Sequence, residues 1–403
     1  MTYLKSRDFP IHLLCYWWAF WLLVSQSSLN VFRPPSPATM LQYALLIASF
    51  LAGHLTIRHL SKVMPMRQEL IPPVFRGDTA RMKWLLAVSA VGSGLLLLIS
   101  LKLSGAYSTT FVEYFLRLRV ESDTVQELTG NHSLDVLTKV VAFPLSYTII
   151  LVILANEARY FKWVLIVCIC NLLAYSYLWQ VNYPLIHLFW ILAFYLLLVN
   201  SRKSHFNIKT LLVVSTLFAL LLISAANRFG GDVLGGFQRY IVGYHLLGFS
   251  FYDYQYNDPH SILHLYSYGR SSLGFLDQTL QAASKLVGEN YNAASFENSA
   301  YNNQGVDVGR SDIGTYNAFG TILFSLYRDF DLVGIWLGGF VYGAAVTQSL
   351  YRSAANWIAG ALFLCLASSW MIGMMVSPLE QAYFWFAIVV MGLIGLINRG
   401  LKW

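Results

Sequence analysis

The sequence predicts an all-α polytopic membrane protein, with about ten transmembrane helices plus interfacial helices in one large outer loop. Composition is the first reason: 57% of residues are hydrophobic and only 12% are charged, about half the charge usual in a soluble domain. The second is that apolar runs long enough to cross a bilayer, roughly 17–25 residues, recur along the whole chain. The third is that the charged residues cluster between those runs and largely avoid them.

In chain order the expected spans are 11–32, 39–58, 84–102, 138–156, 163–180, 183–200, 210–226, 332–350, 354–375 and 382–398. The first is long and Trp-rich, and no small-residue cleavage site follows it. It reads as a retained span and not as a removable signal. Cys15, Cys168, Cys170 and Cys365 all fall inside apolar runs, where packing explains them better than disulfides or a metal. The division by sequence is an N-terminal bundle over 1–226 with an outer loop at about 103–137, a large loop over 227–331, and terminal helices over 332–403.

Lysine and arginine set the orientation, because they concentrate in short cytoplasmic loops. Arg58, Lys62, Arg67, Arg76, Arg81 and Lys83 lie within one short connection, which therefore faces the cytoplasm. Alternation then puts both termini in the cytoplasm and the 227–331 loop outside. The formal net charge of +7 is accounted for by this topology, and no nucleic-acid partner is expected.

One stretch resists simple assignment. Tyr316 to Trp336 starts like a span, breaks on Arg328-Asp329-Phe330-Asp331, and turns apolar again. A full crossing at 314–328 would invert every later loop, so the segment reads as a partial helix on the outer side. Its charges are then expected at the outer rim of the following span, where they cost little desolvation. Within the large loop, "GFQRYIVGYHLLGFSFYDY" and "SSLGFLDQTLQAASKLV" are amphipathic, as expected of helices lying at the interface.

The nucleotide and zinc signatures G-x-x-x-x-G-K-[ST], G-x-G-x-x-G and H-E-x-x-H are absent. Few ionisable groups fall in mid-span, His54 and His187 being the exceptions. Transporters usually bury such groups near the bilayer centre; here they crowd the outer surface, which favours chemistry or binding at the membrane face. On that side arginine outnumbers lysine, eight (Arg33, Arg117, Arg119, Arg228, Arg239, Arg270, Arg310, Arg328) to three. A planar guanidinium grips phosphate bidentately, although pairing with nearby carboxylates would explain each arginine singly. The loop and its rim are also rich in tyrosine, which suits sugar stacking and interfacial anchoring equally. A proton acceptor has to come from Asp, Glu or His. The candidates are Asp329 and His245, the latter on an apolar stretch where a packed histidine is the simpler reading. Asp329 and Asp331 diverge by roughly 200° on a helix, which weakens a shared metal site.

With these residues in view, the chain resembles the bacterial O-antigen and repeat-unit polymerases of the Wzy type. The resemblance lies in many spans, one dominant late outer loop and a terminal group of spans. Its most specific part is an Asn-x-[Phe/Tyr]-Thr run followed by Tyr-x-Asp-[Phe/Tyr]-Gly and a further Gly. Here this reads Asn317-Ala318-Phe319-Gly320, Tyr327-Arg328-Asp329-Phe330-Asp331 and Gly334, with Gly320 and Asp331 departing from the pattern. "NRFGGDVLGGFQRYIVGYHLLGF", with Arg228, Arg239 and Tyr240, resembles the start of the family's loop.

The resemblance implies a fold like the lipid-dependent GT-C class of glycosyltransferases and ligases. It implies polymerisation of undecaprenyl-diphosphate-linked oligosaccharides at the periplasmic face of the bacterial inner membrane, with no cofactor and no metal. Asp329 or His245 would take the acceptor proton. Arg228, Arg239, Arg270, Arg310, Arg328, Asn317 and Tyr240 would bind substrate. Flippase and chain-length regulator proteins are the implied protein partners, beside the bilayer itself. The alternatives are an O-antigen ligase using the same donor, and a polysaccharide flippase or transporter, against which the large outer loop argues.

Overall fold

The computed structural model describes residues 8–63, 79–105, 129–156, 161–179, 181, 183–202, 215–216, 219, 237–289, 291–302, 306–309 and 320–400. Among the described residues regular structure is helical, with an isolated antiparallel bridge between Phe32 and Gly309. Among the described residues five stretches are long and apolar enough to cross a membrane: Pro37–Val63, Trp84–Leu103, Ser133–Ala155, Lys162–Trp179 and Ile322–Arg352. The chain is a helical membrane protein. Helices suit these sequences because each satisfies its own backbone N–H and C=O groups where no water can.

The expected spans near residues 11, 183, 354 and 382 are shorter apolar helices, Phe9–Val24, Tyr183–Val199, Trp357–Ile372 and Ala382–Leu396. The expected span 210–226 lies outside the described residues except for 215, 216 and 219, and so does most of the loop 103–137.

The helices are numbered α1 (Phe9–Val24), α2 (Pro37–Val63), α3 (Thr79–Leu103), α4 (His132–Leu137), α5 (Phe143–Ala155), α6 (Lys162–Trp179), α7 (Tyr183–Arg202), α8 (Gly243–Asn257), α9 (Gly274–Leu286), α10 (Ala294–Asn302), α11 (Ile322–Arg352), α12 (Trp357–Ile372) and α13 (Ala382–Gly400). They form two compact units. The first is Met1–Arg67, Leu192–Tyr351 and Leu366–Gln381; the second is Gln68–Ile191, Arg352–Cys365 and Ala382–Trp403.

In the first unit, α1, α2, α8 and the end of α12 share an aromatic core. Trp18 is fully buried against Tyr43, Phe249 and Trp370, and its indole N–H donates to the Trp370 carbonyl at 3.1 Å. Helices α2 and α11 approach closely because α11 carries Gly339 and Gly343 one turn apart. A Cβ at Gly343 would stand 2.0 Å from the Phe50 carbonyl oxygen, the small-residue logic of helix pairs in lipid. Polar ties within the pair are few, and one is the His54 Nδ1–Thr347 Oγ1 contact of 3.2 Å.

In the second unit, Asn171 of α6 donates to the Ala90 carbonyl of α3 at 2.9 Å and to Ser146 Oγ of α5 at 3.1 Å. A π-helical turn, Thr138–Ala142, leads into α5. Pro144 follows directly, and proline cannot donate to the carbonyl four residues back, which suits a widened turn there. Phe143 stacks on Tyr175, and His187 Nε2 lies 2.6 Å from the Tyr383 hydroxyl.

Candidate functional site

The stretch that resisted assignment is two helical pieces joined by a sharp break in α11. Residues 322–329 are buried on every side, and the backbone leaves helical geometry at Phe330 and Asp331. Asp331 has φ +58°, a left-handed conformation that side chains disfavour and glycine accepts, and glycine is the residue the resembled pattern has there. Its carboxylate offsets part of that strain by accepting from Leu332 N at 2.7 Å, capping the second piece. The turn is tight enough that a Cβ at Gly334 would meet the Leu326 carbonyl oxygen at 2.0 Å.

Arg328 and Asp329 do not sit at an exposed rim. They are 4% and 2% exposed, which corrects the expectation of a low desolvation cost. The reason is tertiary: residues 265–298 fold over this end of the short helix. The Asp329 carboxylate accepts from Ser267 Oγ at 2.5 Å, Ser271 N at 3.0 Å and Ser272 N at 2.8 Å. Arg328 donates to the carbonyls of Leu265 at 3.3 Å and Ala294 at 3.0 Å, to Asn298 Oδ1, and to Glu297 at 2.6 Å. Burying a charge is tolerable only with such partners. These bonds make the two residues the framework that pins the loop helices to α11.

Helix α10 is set by a second carboxylate. Asp277 of α9, 3% exposed, accepts from Ala294 N at 2.6 Å at the start of α10. It also accepts from Arg270 Nε at 3.1 Å and from the Tyr291 hydroxyl. An acid at a helix N-terminus satisfies an orphan N–H and complements the dipole. Capped in this way, α10 delivers Glu297 and Asn298 to Arg328.

Asn298 links the framework to a third carboxylate. Its oxygen faces Arg328, which fixes the amide so that its NH2 group donates to Glu380 Oε1 at 2.6 Å and to Ser271 Oγ at 3.1 Å. Glu380 ends a short 3-10 turn, Pro378–Glu380, between α12 and α13 and outside both. The Ser325 hydroxyl lies 2.6 Å from the same Oε1 and 2.5 Å from Ser377 Oγ. Burial raises the Glu380 carboxyl from its ordinary 4.5 to about 7, and the charge of Asp329 adds to the rise. The bonds from Ser325 and Asn298 and the charge of Arg328 pull the other way. A buried carboxyl whose proton equilibrium lies near neutrality, beside a fixed cation, is suited to accepting a proton.

The remaining sequence candidates fall elsewhere. His245 of α8 is buried against the first helix, stacked on Trp21 with ring centres 4.4 Å apart and edge-on to Trp17 at 5.2 Å. That is a different neighbourhood from the carboxylate cluster. Arg270 stands at the cluster's edge with a partly exposed side chain, over the Tyr291 ring at 4.7 Å. Arg239 and Tyr240 lie on the π-helical turn Phe237–Val242 leading into α8, while Arg228, Arg310 and Asn317 are outside the described residues. Glu380 went unnoticed in the sequence, although one signal was there. It is the single charged residue between Arg352 and Arg399. No family model, curated protein or solved structure matches this chain.

Proposed function

We propose that this protein is a glycosyltransferase of the inner membrane. It extends undecaprenyl-diphosphate-linked oligosaccharides at the outer face, on a GT-C-like scaffold of about ten spans with both termini cytoplasmic. The observation that carries the reading is Glu380: a buried carboxyl of raised proton affinity on the turn between α12 and α13, hydrogen-bonded to Ser325 of α11 and Asn298 of α10. The likeness to Wzy-type polymerases around Tyr327-Arg328-Asp329 supplies the substrate class.

In this scheme an acceptor sugar hydroxyl attacks the anomeric carbon of the donor, the bond to the diphosphate breaks, and the hydroxyl proton passes to Glu380. The departing lipid diphosphate carries the negative charge, which arginines at the cluster's edge stabilise. Of these Arg270 is the candidate at the cluster's edge, and Arg228, Arg239 and Arg310 are candidates from the sequence alone. Arg328 and Asp329 act as positioning residues, since their polar atoms are committed to the loop helices.

The test is incubation of the purified protein, in nanodiscs, with lipid-linked repeat units of defined length. A ladder of longer lipid-linked products supports the proposal. Transfer only onto a lipid A core acceptor would reassign the protein as a ligase. Movement of substrate across a vesicle membrane without new glycosidic bonds would make it a flippase.

A further inference from the structure

Helix α9 is built inside out. A helix on a protein surface in water turns its apolar stripe to the core and its polar residues outward. Here Asp277 and Gln281 are 3% and 8% exposed, while Leu276, Leu280 and Val287 are 48%, 60% and 76% exposed. Leu276 and Leu280 lie four residues apart, on one helical stripe, and Val287 sits on the turn directly after the helix. The described inward polar side chains are all employed. Asp277 caps α10, Gln281 Oε1 accepts from Ala293 N at 3.3 Å, and Gln278 donates to Ser295 Oγ at 2.8 Å and the Glu380 carbonyl at 3.4 Å.

The attachment of α9 identifies what covers the outward stripe. Ser271 N and Ser272 N hang on Asp329, and Leu273, itself exposed, follows at once. Three residues beyond Asp329, the second piece of α11 begins with Leu332, Val333 and Trp336, all turned outward. The stripe of α9 therefore starts beside the break in α11, close in the fold to the exposed apolar start of that helix's second piece. Tyr266 and Tyr268, exposed on the adjoining turn, are residues that favour the bilayer interface.

We infer that α9 and the turn after it dock on the lipid bilayer through Leu276, Leu280 and Val287, and that this docking holds the roof of the Glu380 cluster at the membrane surface. An interfacial helix with a short apolar stripe gains from the bilayer what it would forfeit in water. The inference is independent of the chemistry proposed for the cluster. It makes the site's geometry depend on the membrane, because the same helix that touches lipid also caps α10 and contacts Glu380.

The experiment is site-directed spin labelling of the full-length protein in nanodiscs of phosphatidylethanolamine and phosphatidylglycerol. The background is Cys170→Ala, since the other three cysteines are buried. Labels at Leu276→Cys, Leu280→Cys and Val287→Cys replace exposed side chains and report separately; Glu289→Cys, exposed beyond the helix, is the reference. Collision with oxygen should exceed collision with a water-soluble nickel chelate at the three stripe positions, and the order should reverse at Glu289. Nickel access along the stripe equal to that at Glu289 would overturn the inference. Protection from both reagents would also overturn it, by showing the stripe covered by protein, whether a second copy or another chain.

Discussion

Glu380→Gln keeps the side chain's shape, and its amide oxygen can still accept from Ser325 and Asn298, so it removes little besides a proton equilibrium. The wild-type carboxyl holds its proton up to about pH 7 when folded and up to about 4.5 when unfolded. Between those values the native state binds more protons than the unfolded state, so wild-type stability falls as pH rises through this window. Above it the deficit levels off. A shift from 4.5 to about 7 corresponds to ~3 kcal/mol at 1.36 kcal/mol per unit. Glu380→Gln is free of this deficit and should melt a few degrees above wild type at pH 8, with the gap closing toward pH 5. Intrinsic-fluorescence melting in detergent at pH 5, 6, 7 and 8 measures it. The same variant should elongate lipid-linked oligosaccharide about 10²–10⁴-fold more slowly, the usual loss on removing a positioned base. Greater stability with less activity is the signature expected of a strained functional group. A melting difference that does not change with pH would refute the reasoning about burial. Full activity of Glu380→Gln would remove it as the proton acceptor.

Two other outcomes follow from the same geometry, and a third from the sequence. Arg328→Ala strands Asn298 Oδ1, two carbonyls and Glu297, and should cost roughly 3 kcal/mol or more, read as a lowered Tm at every pH; swapping Arg328 with Asp329 should do no better, because both are buried. Asp331→Gly relieves a φ of +58° while losing a cap and should stay within about 1 kcal/mol of wild type, whereas Asp331→Val should lose roughly 2 kcal/mol or more; thermal melts of the pair check this. Arg228→Lys and Arg239→Lys keep charge but lose the planar fork, so polymer length in cells should collapse with protein level unchanged; wild-type length would return both to ordinary surface pairing.

The apolar runs alone were enough to specify a helical membrane protein, because hydropathy and length are local properties and a helix satisfies its backbone within itself. The break at Arg328–Asp331 was legible for the same reason: charges cannot continue an apolar helix into lipid. What those charges do was not legible. Arg328 and Asp329 read as rim residues until segments 265–298 are seen folded over them. Their partners lie 30 to 63 residues away in sequence. Glu380 meets Asn298 across 82 positions, and no local pattern announces that a lone acid after Pro378 will be buried beside an arginine. His245 and Asp329 were reasonable bases by residue type, but tertiary packing put indole rings on one and three donors on the other. The amphipathic character of 274–286 was visible as a period. Which face would turn inward was settled only by the polar network that α9 completes.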